Sequence, residues 1–268
     1  MADGERRMLF DIRGRRRNVV KFVYAILALL MAASLILLAG PGLFGGGGGS
    51  SSGEAAKQLD EQAERIERKL AKAPNDANLL LGLARTRVSA ANAQSEVNPT
   101  TGEALLTLQS REEFEKASAA WSEYLEATNE PSAGVAQLIT PALFSLAQTS
   151  RSYNEALSNM TAAAESQKIV AEQRPSLGSL STLALYTLFT GDYKAAEEAE
   201  KEAAKFANSK VERENLENQF EEVRKRAVEF QKQVAESEKA AKTAGGAAGK
   251  EALQNPLGGL GGGSSLSE

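Results

Sequence analysis

No histidine and no cysteine occur among the 268 residues. Their absence removes zinc fingers, thiol catalysis, structural disulfides and every mechanism that moves a proton through imidazole. Aspartate is almost as scarce. Asp3, Asp11, Asp60, Asp76 and Asp192 are the only five, and the last two stand at turn sequences where Asp normally caps a helix. Acidity therefore comes from glutamate, which lies in runs such as Glu197-Glu198 and Glu221-Glu222, followed by Lys201, Lys225 and Arg226. Solvated helix faces with pairs four residues apart explain that pattern fully. No acid stands isolated in an apolar setting and no Ser-x-x-Lys has a convincing context, so catalysis is not expected, and neither is a cofactor or a metal.

The charge is unevenly placed. Residues 1–21 carry Arg6, Arg7, Arg13, Arg15, Arg16, Arg17 and Lys21 against Asp3, Glu5 and Asp11, while the remaining chain has 24 basic and 32 acidic residues. An acidic body is a poor surface for a phosphate backbone, so nucleic acid is not an expected partner. From Phe22 to Ala39 no charged residue occurs. As a helix that run spans about 27 Å, close to the hydrocarbon thickness of a bilayer. Basic residues precede it and none follows until Lys57, which predicts a cytoplasmic N-terminus and an extracytoplasmic body. A cleaved signal peptide is the competing reading, but the run is longer than a usual signal core and Leu38-Ala39-Gly40-Pro41 lacks a small-x-small site. The segment 22–44 is thus read as an uncleaved anchor in the lipid bilayer. Ala25, Ala28 and Ala32 form a small-residue stripe that could let two anchors approach closely, although alanine is also ordinary membrane filler.

Residues 45–53 are a Gly/Ser spacer with a reach of about 15–18 Å. They are not a phosphate loop, since no strand precedes them and no Lys-Ser/Thr pair closes the run. Residues 241–268 hold eight glycines and few core-forming side chains, the composition of a disordered tail. The intervening body is rich in Ala, Leu, Glu, Lys and Gln without two-residue alternation, which predicts an all-α domain. Helix boundaries are expected at Pro74-Asn75-Asp76, Pro131-Ser132, Pro175-Ser176 and Thr190-Gly191-Asp192. Capping boxes are expected at Ser110 with Glu113 and at Ser209 with Glu212.

Residues 177–210, LGSLSTLALYTLFTGDYKAAEEAEKEAAKFANSK, carry Leu180, Leu183 and Ala184 on one helix, Gly191 in the turn, and Tyr193, Ala196 and Ala203 on the next. This resembles a tetratricopeptide repeat, in which small residues let two antiparallel helices touch. Leu180, Thr187, Glu200 and Asn208 depart from the consensus. Weaker copies follow Asp76, with Leu80, Leu83 and Ala84, then Phe114, Ala117 and Trp121 after an insertion at 92–109, and follow Ser132, with Val135 and Leu138, then Tyr153 and Ala156. The resemblance covers 54–210. It implies an all-α solenoid of stacked helical hairpins behind a single transmembrane helix, with a long C-terminal helix at 211–240.

On that helix Leu216, Phe220, Val223, Ala227, Phe230 and Val234 recur at steps of four and three. The stripe suits a capping helix on the last repeat, or a coiled-coil seam that would make a homodimer. The resemblance further implies a concave, peptide-binding groove lined by the first helix of each unit. At those positions stand Asn78 and Arg85, then Leu143 and Phe144, then Leu185, Leu188 and Phe189. With only Asn78 and Arg85 of the Lys, Arg and Asn type that clamps a peptide carboxylate, the groove is expected to be mostly apolar and to take a hydrophobic segment of a protein partner, while Leu143, Phe144, Leu188 and Phe189 read at least as well as plain core residues. The overall plan is similar to membrane-anchored tetratricopeptide proteins of bacterial cell envelopes. That similarity implies a scaffold or adaptor, alternatively a chaperone-like accessory or a coiled-coil tether.

Overall fold

The computed structural model describes residues 52–97 and 104–243; the basic segment 1–21, the apolar run 22–44, most of the spacer and the tail lie outside the described residues. Eight helices are described: α1 (Ser52–Leu70), α2 (Ala77–Gln94), α3 (Leu108–Ala127), α4 (Ala133–Gln148), α5 (Tyr153–Gln173), α6 (Leu177–Thr190), α7 (Tyr193–Ala204) and α8 (Lys210–Thr243). Between α2 and α3 a minimal hairpin pairs β1 (Glu96–Val97) with β2 (Ala104–Leu105), Glu96 opposite Leu105. The body is thus all-α. Among the described residues no helix is long and apolar enough to cross a membrane.

Local signals set most boundaries. Asp76 accepts from the backbone N–H groups of Asn78 and Leu79, Ser176 and Ser179 form a reciprocal capping box, and Asp192 accepts from Ala195. Gly191 closes α6 with φ of 86°, a left-handed conformation that an L side chain rarely adopts. The expected box at Ser110 is not formed. Thr107 caps α3 by accepting from Ser110 N–H, while Ser110 Oγ bonds back to the Thr107 carbonyl and Glu113 turns away to a buried arginine. At the start of α8, Ser209 accepts from Glu212 N–H as expected, but the Glu212 carboxylate takes the Asn208 N–H, one residue earlier than a standard box. Helix α1 begins at Ser52, inside the end of the spacer, and the insertion contracts to 95–107.

Each helix packs on its successor, with α1 on α2, α2 on α3, α4 on α5, α5 on α6 and α6 on α7, so most burial is between sequence neighbours. Small residues make the approach possible: Ala84, Ala117, Ala136, Ala163, Ala184, Ala196 and Ala203 are all essentially buried. A first core gathers α1 to α5 around Leu80, Trp121, Ile139 and Leu143. Trp121 Nε1 donates to Ser166 Oγ at 2.9 Å, so the indole is satisfied where it is buried. A second core joins the ends of α4 and α5 to α6, α7 and α8 around Leu188, Phe189, Phe220 and Phe230.

The C-terminal stripe is consumed here. Leu216, Phe220, Val223, Ala227, Phe230 and Val234 are all buried within the one chain. Helix α8 packs on α6, α5 and α7 as a cap, and any coiled-coil seam through these residues would first have to remove them from that core. Leu138, expected on the apolar face of α4, is 47% exposed, because the buried stripe of that helix runs instead through Val135, Ile139, Ala142 and Leu146.

Candidate functional site

The predicted groove residues are not brought together. Leu143, Leu188 and Phe189 are 1%, 0% and 2% exposed and belong to the two cores, so no peptide reaches them. For Leu188 and Phe189 the physical reason is α8, whereas Leu143 is turned into the core shared by α1 to α5. Helix α8 folds back over α6, Phe230 meets Phe189 edge-on at 5.8 Å, and Gln231 Nε2 donates to the Phe189 carbonyl at 2.5 Å. Asn78 and Arg85 are exposed on α2, remote in sequence and element from the others. Phe144 and Leu185 are half-buried, and the Phe144 ring stacks on Tyr186 at 5.0 Å.

Tyr186 also lines a cleft of about 500 Å³ between α4, α5 and α6. One wall is Gln137, Thr140 and Pro141 of α4; the floor is Gln167, Val170 and Arg174 of α5; the other wall is Gly178, Ser179, Thr182 and Tyr186 on α6. It lies at the joint of the molecule, since Tyr186 packs against both cores. Pro141 sits inside α4, where its ring nitrogen cannot supply the hydrogen bond that the Gln137 carbonyl would otherwise receive. Gly178 leaves the α6 wall open: a Cβ built on it meets nothing within 4 Å.

Polar groups here are only partly used. Gln167 Nε2 donates to the Ser179 carbonyl at 2.8 Å and ties the floor to one wall. Arg174 Nη1 donates to Gln137 Oε1 at 3.3 Å and ties it to the other. Arg174 has no carboxylate partner among the described residues, and neither the Tyr186 nor the Thr182 hydroxyl finds a hydrogen-bond partner there. Burial pushes the Tyr186 phenol up to about 12, so it remains a donor throughout the physiological range. Neither α4 nor α6 has an acid in its first turn, which leaves the positive ends of both helix dipoles uncompensated near the cleft. The arrangement offers donors and positive potential to an acceptor-rich segment such as extended backbone.

The densest ionisable cluster lies elsewhere and is structural. Arg87 of α2, 5% exposed, bonds Glu113 of α3 at 2.7 Å and Glu67 of α1 at 2.6 Å, with Asp60 of α1 at 3.6 Å; Lys116 bonds Glu113 at 2.6 Å. Burial opposes the Arg87 charge, but hydrogen bonds with Glu67 and Glu113 outweigh it and raise its pKa further. Asp60 is raised by desolvation and then by the Glu113 charge, against the pull of Arg87 and Lys116. Its Oδ1, with Arg87 Nε and Gln94 Oε1, is buried without a hydrogen-bond partner. Among the described residues no group of three carboxylates has metal-binding geometry.

The sign of the pH effect follows. A carboxyl whose folded pKa is raised contributes stability while protonated, and that contribution is lost as pH rises through the folded value. Asp60→Asn is therefore expected to stabilise the protein at neutral pH. The gain is at most about 2 °C in Tm, because the group is partly exposed. It should vanish below the ordinary carboxylate range, as followed by thermal melts across pH.

Comparison with known proteins found no family model, no curated protein and no solved structure that matches the chain.

Proposed function

We propose that the chain is a membrane-anchored scaffold of tetratricopeptide-like hairpins, held by residues 22–44, that captures a segment of a partner protein on the extracytoplasmic side. The observation that carries the reading is the cleft between α4, α5 and α6, where the Thr182 and Tyr186 hydroxyls have no hydrogen-bond partner and Arg174 has no carboxylate partner among the described residues. Successive packing of α2 to α7 supports the repeat assignment, and small residues at the contacts supply the reason such hairpins stack. The polar lining changes the expected partner from a hydrophobic segment to an extended one read through backbone and polar side chains. A holdase for many unfolded clients is less favoured, since the exposed large apolar residues Leu105, Leu108, Leu138, Phe206, Val211 and Val228 are spread over β2, α3, α4, the turn after α7 and α8.

Arg174→Glu combined with Thr182→Glu reverses the cleft charge and fills its mouth without touching the buried core. Co-purification of the partner with the full chain is expected to be lost, while stability stays within about 1 kcal/mol. Retained capture by the folded variant would remove the cleft from the account. Orientation is tested separately with single cysteines. Ser265→Cys should react with an impermeant thiol reagent and Ala2→Cys should not; the reverse labelling would overturn the topology.

A further inference from the structure

We infer that the outward face of α1 is a docking surface for the anionic phospholipid headgroups of a bilayer. Arg65, Arg68 and Lys69 near the end of α1, and Lys72 in the turn that follows it, come at helical spacing, centred on the side opposite the fully buried Ala63. Helix α1 packs on α2 alone, so among the described residues nothing covers this side. With Ile66 they line a shallow cleft of about 480 Å³, in which the aliphatic stems of the basic side chains form the walls.

The charge on this face is free to act outward. Glu67, the acid within the basic stretch, is turned to the other side and held by Arg87 at 2.6 Å. Arg65 and Arg68 meet only Glu61 at 4.0 Å and Glu64 at 3.5 Å, with side chains more than half exposed, which are weak pairs. Lys69 and Lys72 have no ion pair among the described residues. Four cations within eight positions stand out on a chain that beyond residue 21 has 24 basic and 32 acidic residues.

Charge complementarity and the tether select the occupant. The inference rests on reading residues 22–44 as an anchor, because α1 then begins a short spacer away from a bilayer and the face meets headgroups at high effective concentration. A basic helical face with apolar stems beside a membrane span is the arrangement that anionic leaflets attract, with roughly a fivefold gain in affinity per basic residue. A soluble polyanion lacks this tether and is repelled by the acidic remainder of the body.

The test uses the full chain in nanodiscs of phosphatidylcholine alone or mixed with phosphatidylglycerol, read by hydrogen exchange over residues 62–72. Additional protection of that segment is expected only with phosphatidylglycerol. It should disappear in high salt and in the variant carrying Arg65→Gln, Arg68→Gln, Lys69→Gln and Lys72→Gln, while exchange in α7 stays unchanged as a folding control. Equal protection in both kinds of disc overturns the inference while leaving the anchor intact. Equal protection by free inorganic phosphate over neutral discs also overturns it, by showing a simple anion site. A chain that fails to co-elute with discs overturns the anchor, and the inference with it.

Discussion

Serine at both Leu188 and Phe189 is expected to unfold the α6 to α8 half of the body, leaving no folded species that merely fails to bind. Both side chains are buried, at 0% and 2% exposure, in the core shared by α6, α7 and α8. Truncating a buried leucine costs about 2–5 kcal/mol and a buried phenylalanine about 3–5 kcal/mol, before the cost of burying two hydroxyls is added. The sum approaches the whole stability of a typical domain, about 5–15 kcal/mol. Loss of the Phe189 ring also removes its edge contact with Phe230 and loosens the cap made by α8. Circular dichroism of the full chain in detergent should show loss of the cooperative melt, and limited proteolysis should cut within 177–243. A double variant that melts like the parent would return both residues to the surface.

The second large effect is at Arg87. Arg87→Ala is expected to cost about 3–5 kcal/mol, because Glu113, at 6% side-chain exposure, would lose the guanidinium that compensates it in the interior. Lys116 remains on Glu113 but is half exposed and reaches it from the surface, so it offsets only part of the loss. The damage should concentrate in α1. Few large apolar side chains of that helix are buried, and Arg87 holds it through its hydrogen bond to Glu67. Faster hydrogen exchange across residues 54–70 than across α5 is therefore expected. Replacing Arg87 and Glu113 together by methionine should recover most of the stability, since the cost arises from an uncompensated buried charge and not from the loss of a net favourable pair. If Arg87→Ala leaves exchange in α1 unchanged, the cluster does not hold that helix.

Much of the fold was legible because its causes are local. Asp76, Ser176 and Asp192 cap the helices that follow them through their side chains, Ser132 immediately precedes α4 without such a bond, and Ala184, Ala196 and Ala203 lie at buried contacts. The apolar stripe on α8 identified its buried face correctly. What escaped depends on partners distant in the chain. Glu113 reads as half of a capping box until Arg87, 26 residues earlier, draws it inward. The short hairpin of β1 and β2 has no alternation long enough to announce a strand.

The candidate site was less legible for the same reason. Leu188 and Phe189 occupy groove positions only if nothing lies over them, and the covering helix α8 begins at Lys210, while Leu143 is turned into the core of α1 to α5. Arg174 and Tyr186 were missed because three helices must assemble before either borders a cleft. The signal available in the sequence was slight: a tyrosine within the leucine-rich run of α6, and an arginine at the end of α5 beside Pro175. Neither marks a site until the floor and walls are present.

The most direct test of the account is in-cell photocrosslinking of the full chain with a photoreactive residue placed in turn at Gln137, Thr182 and Glu198. The first two border the cleft, and Glu198 is exposed on α7 away from it. The account predicts capture of the same partner from Gln137 and Thr182, none from Glu198, and loss of capture when Arg174→Glu is introduced. Capture from Glu198 alone, or from all three positions regardless of Arg174, would contradict it.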